Sequence, residues 1–265
     1  MRLRHILKTC LILCVLLTIF PLTSCHIRRG LEKKIISNLE DCYNTEFECA
    51  SLRTDGGGAF FVCYPIDDPS LHFDGMADSR SGGISYDRFV GAIIAKEDTK
   101  LMTEYLSKSL GDIYVYGAPV HQTGPRAARV IRRGDYTIDD FMDCGSCTNL
   151  FFYIFIDKSS DSFKDDPGKD YDLISGSVDS MVKYYNEKFN LDICVDMHIY
   201  YVTDKEIEFA KDFFSTHTEA DYVFNQSVSP NYLITLQMGP ESNGHFSQTL
   251  RLSREEYISK RERMN

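Results

Sequence analysis

The spacing of apolar side chains divides the chain into short elements of two kinds. Leu31, Ile35, Leu39 and then Cys42 or Tyr43 recur at three- and four-residue steps, which predicts an amphipathic helix from Leu31 to Tyr43. Phe47 to Leu52 and Ala59 to Tyr64 are aromatic and aliphatic runs on either side of Asp55-Gly56-Gly57-Gly58. Glycines accept positive φ at little steric cost, so these runs predict a hairpin with Cys49 and Cys63 nearly opposite each other. Leu71 to Met76 adds a third strand, and the polar, Gly-rich stretch from Ser79 to Ser85 reads as a loop. Phe89, Val90, Ile93, Ile94, Leu101, Met102, Tyr105 and Leu106 mark a long helical face, broken near Glu97 and stopped at Gly111. A strand over Ile113 to Tyr116, a loop or edge segment over Gly117 to Gly134, and a turn or two of helix over Tyr136 to Asp143 follow. Asn149 to Ile156 is almost continuously apolar, as in a strand covered on both faces.

Beyond it the pattern changes. Residues 157–172 are Asp, Ser, Lys, Pro and Gly with almost nothing apolar, an acidic linker. Val178, Met181, Tyr185 and Phe189 then mark a helix, and Ile193, Val195, Met197, Ile199 and Tyr201 alternate at period two in a half-buried strand. Ile207, Ala210, Phe213 and Phe214 predict another helix, followed by strands near Tyr222 to Phe224 and Tyr232 to Met238. Ser253 with Glu256 forms a capping box for a terminal helix to Arg263, whose many charges place it at the surface. The fold class is α+β. Tyr43-Asn44-Thr45-Glu46-Phe47 and Tyr185-Asn186-Glu187-Lys188-Phe189 share a Y-N-x-x-F pattern, each at a helix end before a strand. Asp98 and Asp204 open the next helices, and Asn149 and Asn231 open apolar strands. The order helix, strand, helix, strand, strand thus occurs twice, which predicts an internal duplication. Two related lobes with mixed or antiparallel sheets would occupy 31–156 and 173–265.

Ahead of the first helix, Arg2, Arg4 and Lys8 precede an apolar block. Thr9 to Leu22 is 14 residues, against about 20 for a bilayer-spanning helix. A basic start, a short apolar run and small residues at its end are the layout of an export signal over 1–24. Leu22-Thr23-Ser24-Cys25 resembles the lipobox of bacterial lipoproteins. The resemblance implies diacylglyceryl transfer to the Cys25 thiol, cleavage before it, palmitate-type acylation, and residence on the extracytoplasmic face of the cell membrane. Two acyl chains hold where one binds only marginally. Residues 25–30 would be the lipidated tether, and His26, Arg28, Arg29, Lys33 and Lys34 lie next to it, where anionic lipid favours them. The Tyr-Asn junctions are similar to those of small Gram-positive lipoproteins of unknown function, a likeness that implies no activity.

Composition narrows the partners. The chain is 43% apolar and 26% charged, ordinary for a globular protein. Loss of Arg2, Arg4 and Lys8 with the leader moves the formal charge from −10 to −13, a field that repels nucleic acid. Of the nine cysteines, Cys10 and Cys14 leave with the leader and Cys25 takes the lipid. Cys42, Cys49, Cys63, Cys144, Cys147 and Cys194 remain, an even number that suggests disulfides outside the cell; about 15 pairings are open to six cysteines.

Cys144-Gly145-Ser146-Cys147 is the stretch with recognisable chemistry. C-x-x-C resembles the redox pair of thioredoxin-like proteins, where the first thiol sits at a helix N-terminus. Here a helix-like piece precedes the motif, a strand follows, and Asp139, Asp140 and Asp143 are near, all of which disfavour the thiolate. A zinc site lacks a second such pair, and Asp157, Asp161, Asp165, Asp166 and Asp170 lack the ligand order of a calcium loop. No G-x-S-x-G, phosphate loop or H-E-x-x-H occurs. His72, His121, His198, His217 and His245 are scattered, and Arg126, Arg129, Arg132 and Arg133 read as a solvated face. No metal and no cofactor are expected. The reading is a membrane-tethered, non-enzymatic interaction or envelope-accessory module with an unidentified protein or envelope partner. The alternatives are a thiol-disulfide protein using Cys144 and Cys147, or a lipoprotein holding a small ligand between its lobes.

Overall fold

A computed structural model describes residues 28–110, 113–123, 147–158, 166–189, 193–219, 224, 228, 233–238 and 253–263. Helix α1 covers 28–43 and buries Leu31, Ile35 and Leu39, the predicted stripe. Asn44 ends it at φ 50°, a left-handed position that a short polar side chain tolerates. The hairpin follows as β1 (Phe47–Asp55) and β2 (Gly58–Pro65), joined through Gly56 at φ 53° and Gly57 at φ 104°. Positive φ at both central residues is what a two-residue hairpin turn requires. Strands β3 (Phe73–Asp78) and β4 (Ile84–Asp87) complete an antiparallel sheet of order β1-β2-β3-β4. The last two residues of the predicted loop, Ile84 and Ser85, are thus absorbed into β4.

Helix α2 (Phe89–Leu110) runs unbroken for 22 residues, past the break expected at Glu97. Its start closes the first core, where Phe47, Phe73 and Phe89 meet with ring centroids 5.1 to 5.5 Å apart. Its remainder packs on a second sheet of order β5-β6-β7-β8, built from β5 (Ile113–Thr123), β6 (Cys147–Asp157), β7 (Ile193–Val202) and β8 (Leu233–Met238). β5 outruns the expected strand because Gly117 lets it approach α2, with the Gly117 N–H donating to Thr99 Oγ1 at 2.9 Å. Pro119 falls in the irregularity between Ala118 and His121, where a missing N–H is tolerated.

β6 and β7 pair in parallel over ten positions, and the other neighbours are antiparallel. The crossover between them contains α3 (Pro167–Phe189). The stretch 157–172, expected to separate two lobes, therefore lies between two strands of one sheet. Asp157 ends β6, and Pro167 to Asp172 open α3. One face of this sheet meets α2, α3 and α5 (Arg254–Glu262); the other meets α4 (Asp204–Phe214) and Phe224, which has helical backbone rather than the expected strand. β7 keeps the expected alternation over its first six residues, where Cys194, Asp196 and His198 are only partly buried, and is buried throughout from Ile199 to Val202.

The architecture is α+β, as the pattern predicted, with one antiparallel and one mixed sheet. The duplication is not supported. Asn44 is a left-handed stop before an edge strand, whereas Asn186 lies inside the last turn of α3, and Asp98 sits in the middle of α2. The capping box of α5 is present: Ser253 Oγ accepts from the Glu256 N–H at 3.2 Å, and Glu256 accepts from the Ser253 N–H at 2.9 Å. This helix lies at the surface as its charges predicted, with Arg254, Glu255, Glu256, Lys260 and Glu262 exposed, and it is docked there by Tyr257 and Arg261, both fully buried one turn apart.

Candidate functional sites

The lipobox, Leu22 to Cys25, lies outside the described residues, as do Cys144, the arginines from 126 to 133, and His245. Cys147 opens β6 opposite Thr123. No described helix is long and apolar enough to cross a membrane. Among the described residues no group of three or more His, Cys, Asp and Glu side chains is placed to hold a metal ion.

Three polar clusters stand out against the apolar packing. The first is a thiol pair. Cys49 and Cys63 are direct partners across β1 and β2, with Cys63 fully buried and Cys49 half-buried on the same side of the hairpin. A hydrogen bond from the Cys63 thiol holds the Cys49 thiol below its ordinary range and, with burial, pushes Cys63 above it. The Cys49 thiol also donates to the Ser51 carbonyl at 3.0 Å.

The second cluster lies where the first sheet meets the segment after α4. Arg88 Nη1 reaches Glu219 Oε1 at 2.7 Å and Asp74 Oδ1 at 3.4 Å, and its backbone N–H donates to the Asp74 carbonyl at 3.0 Å. Burial raises the Asp74 carboxyl, with Glu219 adding to this and Arg88 opposing it. The His72 ring lies tilted against Tyr64 with centroids 5.0 Å apart; burial lowers its affinity for a proton, a backbone hydrogen bond with Ser70 opposes this, and His217 acts with burial. His217 lies flat on Phe213 at 4.0 Å, and the Tyr116 hydroxyl donates to its carbonyl at 3.4 Å. One guanidinium shared by two carboxylates ties the segment after α4 to the first sheet, a structural clamp.

The third cluster is inside the second core. Tyr185 on α3 donates to Asp98 on α2 at 2.6 Å, and burial pushes the Asp98 carboxyl up to about 7. Arg261 Nη2 of α5 meets Asp170 of α3 at 3.2 Å and lies over the Tyr201 ring at 4.5 Å, while the Tyr201 and Tyr257 hydroxyls are hydrogen-bonded. Pairing removes much of the cost of burying such charges. From the sequence alone Asp98 reads as the start of a helix and Asp170 as one acid of a linker without the order of a calcium loop. The signal that could have located the Asp170 partner is the i, i+4 pair Tyr257 and Arg261 in an otherwise charged helix.

A further surface is the outer face of the first sheet. Arg53, Phe60, Met76 and Tyr86 form a row across all four strands, each the register partner of the next. Phe60 is 40% exposed, with the Arg53 guanidinium 5.9 Å from its ring centre.

No family profile matches the chain, and no curated protein does. A solved structure is similar in fold: a DUF5037 family protein from Ruminococcus gnavus ATCC 29149, 17% identical, with a TM-score of 0.58 over 87% of this chain and 98% of that one. At that identity the likeness concerns the fold alone.

Proposed function

We propose that this chain is a lipid-anchored protein of the extracytoplasmic face of a bacterial cell membrane, acting there as an interaction or envelope-accessory module. The observation that supports it most directly is the start of the folded body. α1 is already helical at residue 28, three residues past Cys25, and its first two turns expose Arg28, Arg29, Lys33 and Lys34. Three residues reach at most about 10 Å. A diacylglyceryl group on Cys25 would hold this end of α1 at the headgroup layer, where each basic side chain gains about 1 kcal/mol from anionic lipid. Lys34 also donates to the Arg80 carbonyl at 3.2 Å, which brings the exposed Arg80 loop alongside. The outer face of the first sheet, with its Arg53-Phe60-Met76-Tyr86 row, is then the surface offered to a partner.

The test is metabolic labelling with radioactive palmitate in a bacterial host, followed by membrane fractionation, for the natural chain and for Cys25→Ala. The reading requires label and membrane retention in the first and neither in the second. Label that persists without Cys25, or no label in the natural chain, overturns it.

A further inference from the structure

Cys42, Cys49, Cys63, Cys147 and Cys194 lie among the described residues, and the fold brings Cys49 and Cys63 together. Cys49 and Cys63 face each other in the β1–β2 ladder, and the geometry of that ladder is decisive. Ile66 donates its N–H to the Glu46 carbonyl at 2.9 Å, so 46/66 is a hydrogen-bonded pair. Antiparallel pairs alternate, which makes 48/64 the next bonded pair and leaves 49/63 as a non-hydrogen-bonded pair. Opposed Cα atoms at such positions lie about 4.5 Å apart, with side chains on the same face. A disulfide spans Cα separations of about 4.4 to 6.8 Å. The two sulfurs are already within hydrogen-bonding contact. β1 is an edge strand, so Cys49 is half-exposed while Cys63 faces the core beneath α1, near Glu32. The bulge between Cys49 and Ser51 follows immediately and sets Cys49 at the end of the regular register.

We infer that Cys49 and Cys63 are an oxidisable pair that closes into a cross-strand disulfide stapling the first hairpin. In an extracytoplasmic protein the oxidant is a disulfide carrier, and that part rests on the anchored reading; the pairing itself does not. The thiolate of Cys49, the accessible sulfur, attacks one sulfur of the carrier disulfide. A Cys49–carrier mixed disulfide forms and the first carrier thiol leaves. The Cys63 sulfur then attacks Cys49 Sγ, the Cys49–carrier bond breaks, and the departing second carrier thiolate takes the Cys63 proton. Two protein thiols are oxidised and one carrier disulfide is reduced to two thiols. The buried sulfur never has to meet the oxidant, because the exposed one does so on its behalf.

The experiment uses the full chain, recovered from membranes in detergent and split in two. One portion is alkylated at once under denaturing conditions. The other is first reduced, then incubated folded with glutathione disulfide, and alkylated. Both are digested without reductant and mapped by mass spectrometry. The expected result in the second portion is a Cys49–Cys63 linked peptide, two hydrogen masses lighter than its separate parts, with neither residue alkylated. Two alkylated thiols there, or either residue bonded to Cys42, Cys147 or Cys194 instead, overturns the pairing. The first portion distinguishes the two readings. A link that forms with glutathione but is absent from freshly isolated protein leaves the pairing standing and counts against an oxidising location. Cys63→Ala, which keeps a small apolar side chain in the core, should leave Cys49 alkylated in the first portion and carrying one unresolved glutathione in the second; a new link from Cys49 to another cysteine would show that the register does not select its partner.

Discussion

Asp98 is a carboxyl 3% exposed, in the middle of α2, with the Tyr185 hydroxyl 2.6 Å away. Burial favours its neutral form, Glu97 pushes the same way, and the Tyr185 hydrogen bond and Lys188 push against it; the outcome is a carboxyl at about 7. In the unfolded chain an aspartate titrates near about 3.9. Because the folded value is the higher one, the folded protein binds the proton more tightly. Its contribution is fully present below the unfolded value and is lost as pH rises through the folded one. A gap of about three pH units corresponds to about 4 kcal/mol between pH 4 and 7, which is a large share of the stability of a typical domain.

Asp98→Asn keeps the size and an acceptor for the Tyr185 hydroxyl and removes the proton equilibrium. Urea unfolding at pH 4, 5, 6, 7 and 8, followed by circular dichroism, gives a stability for each protein at each pH. Burial also raises Asp74 and Asp87, so the natural chain has other contributions of the same sign. These cancel in the difference between variant and natural chain. That difference should move in favour of the variant by about 4 kcal/mol from pH 4 to pH 8, the stability profile of the variant being the flatter. Parallel profiles would refute the reasoning, since Asp98 would then titrate alike in both states.

Other perturbations test the remaining contacts. Arg261→Ala leaves Asp170 buried without its guanidinium and should cost about 3 to 5 kcal/mol, with limited proteolysis cutting first at α5; an unchanged cutting pattern would show that Tyr257 and the Arg254–Asp172 pair hold α5 without it. Gly117→Ala places a Cβ 2.5 Å from Thr99 Oγ1 and 3.0 Å from the Ala95 carbonyl, so β5 must shift and stability should fall by about 1 to 3 kcal/mol, read as a lower thermal midpoint. If Cys49 and Cys63 are joined, reduction opens a loop of about 15 residues and should cost about 3 kcal/mol, measurable as a lower urea midpoint with reductant that is absent in Cys49→Ser. An insulin-reduction assay decides the alternative use of Cys144 and Cys147: equal turnover by the natural chain and Cys144→Ser discards it.

What the sequence disclosed was local, and what it concealed was distant. α1, the Gly56-Gly57 turn, α4 and the α5 capping box follow from signals a few residues long: a helical stripe, glycines at a tight turn, a hydroxyl three residues before a glutamate. The opposition of Cys49 and Cys63 was legible for the same reason, because a short hairpin fixes its own register. The burial of Asp98 and Asp170 was not. Their partners Tyr185 and Arg261 lie 87 and 91 residues away, and without them a lone aspartate reads as a helix end or a solvated linker. The parallel pairing of β6 with β7 is hidden similarly, since the residues between them carry no sign that the chain must return to the same sheet. The Arg88 to Glu219 contact spans 131 positions and has no local trace.

The anchored reading requires an acidic body to sit beside an anionic bilayer. A charge of −13 after loss of the leader would repel such a surface, but repulsion in solution of physiological salt decays within about 8 Å, so under that reading the charges nearest the anchor decide. Those are the basic side chains of the first two turns of α1, while Glu40 and Asp41 lie at its other end. The N-terminal end of a helix is itself positive, so charge and dipole along α1 point the same way. Under the anchored reading the acyl chains supply retention and α1 supplies orientation. α2 is shared between the two cores, and the Arg88 clamp ties the segment after α4 to the first sheet. An orientation imposed on α1 at the membrane is therefore passed on to the second sheet through packed contacts rather than through a linker.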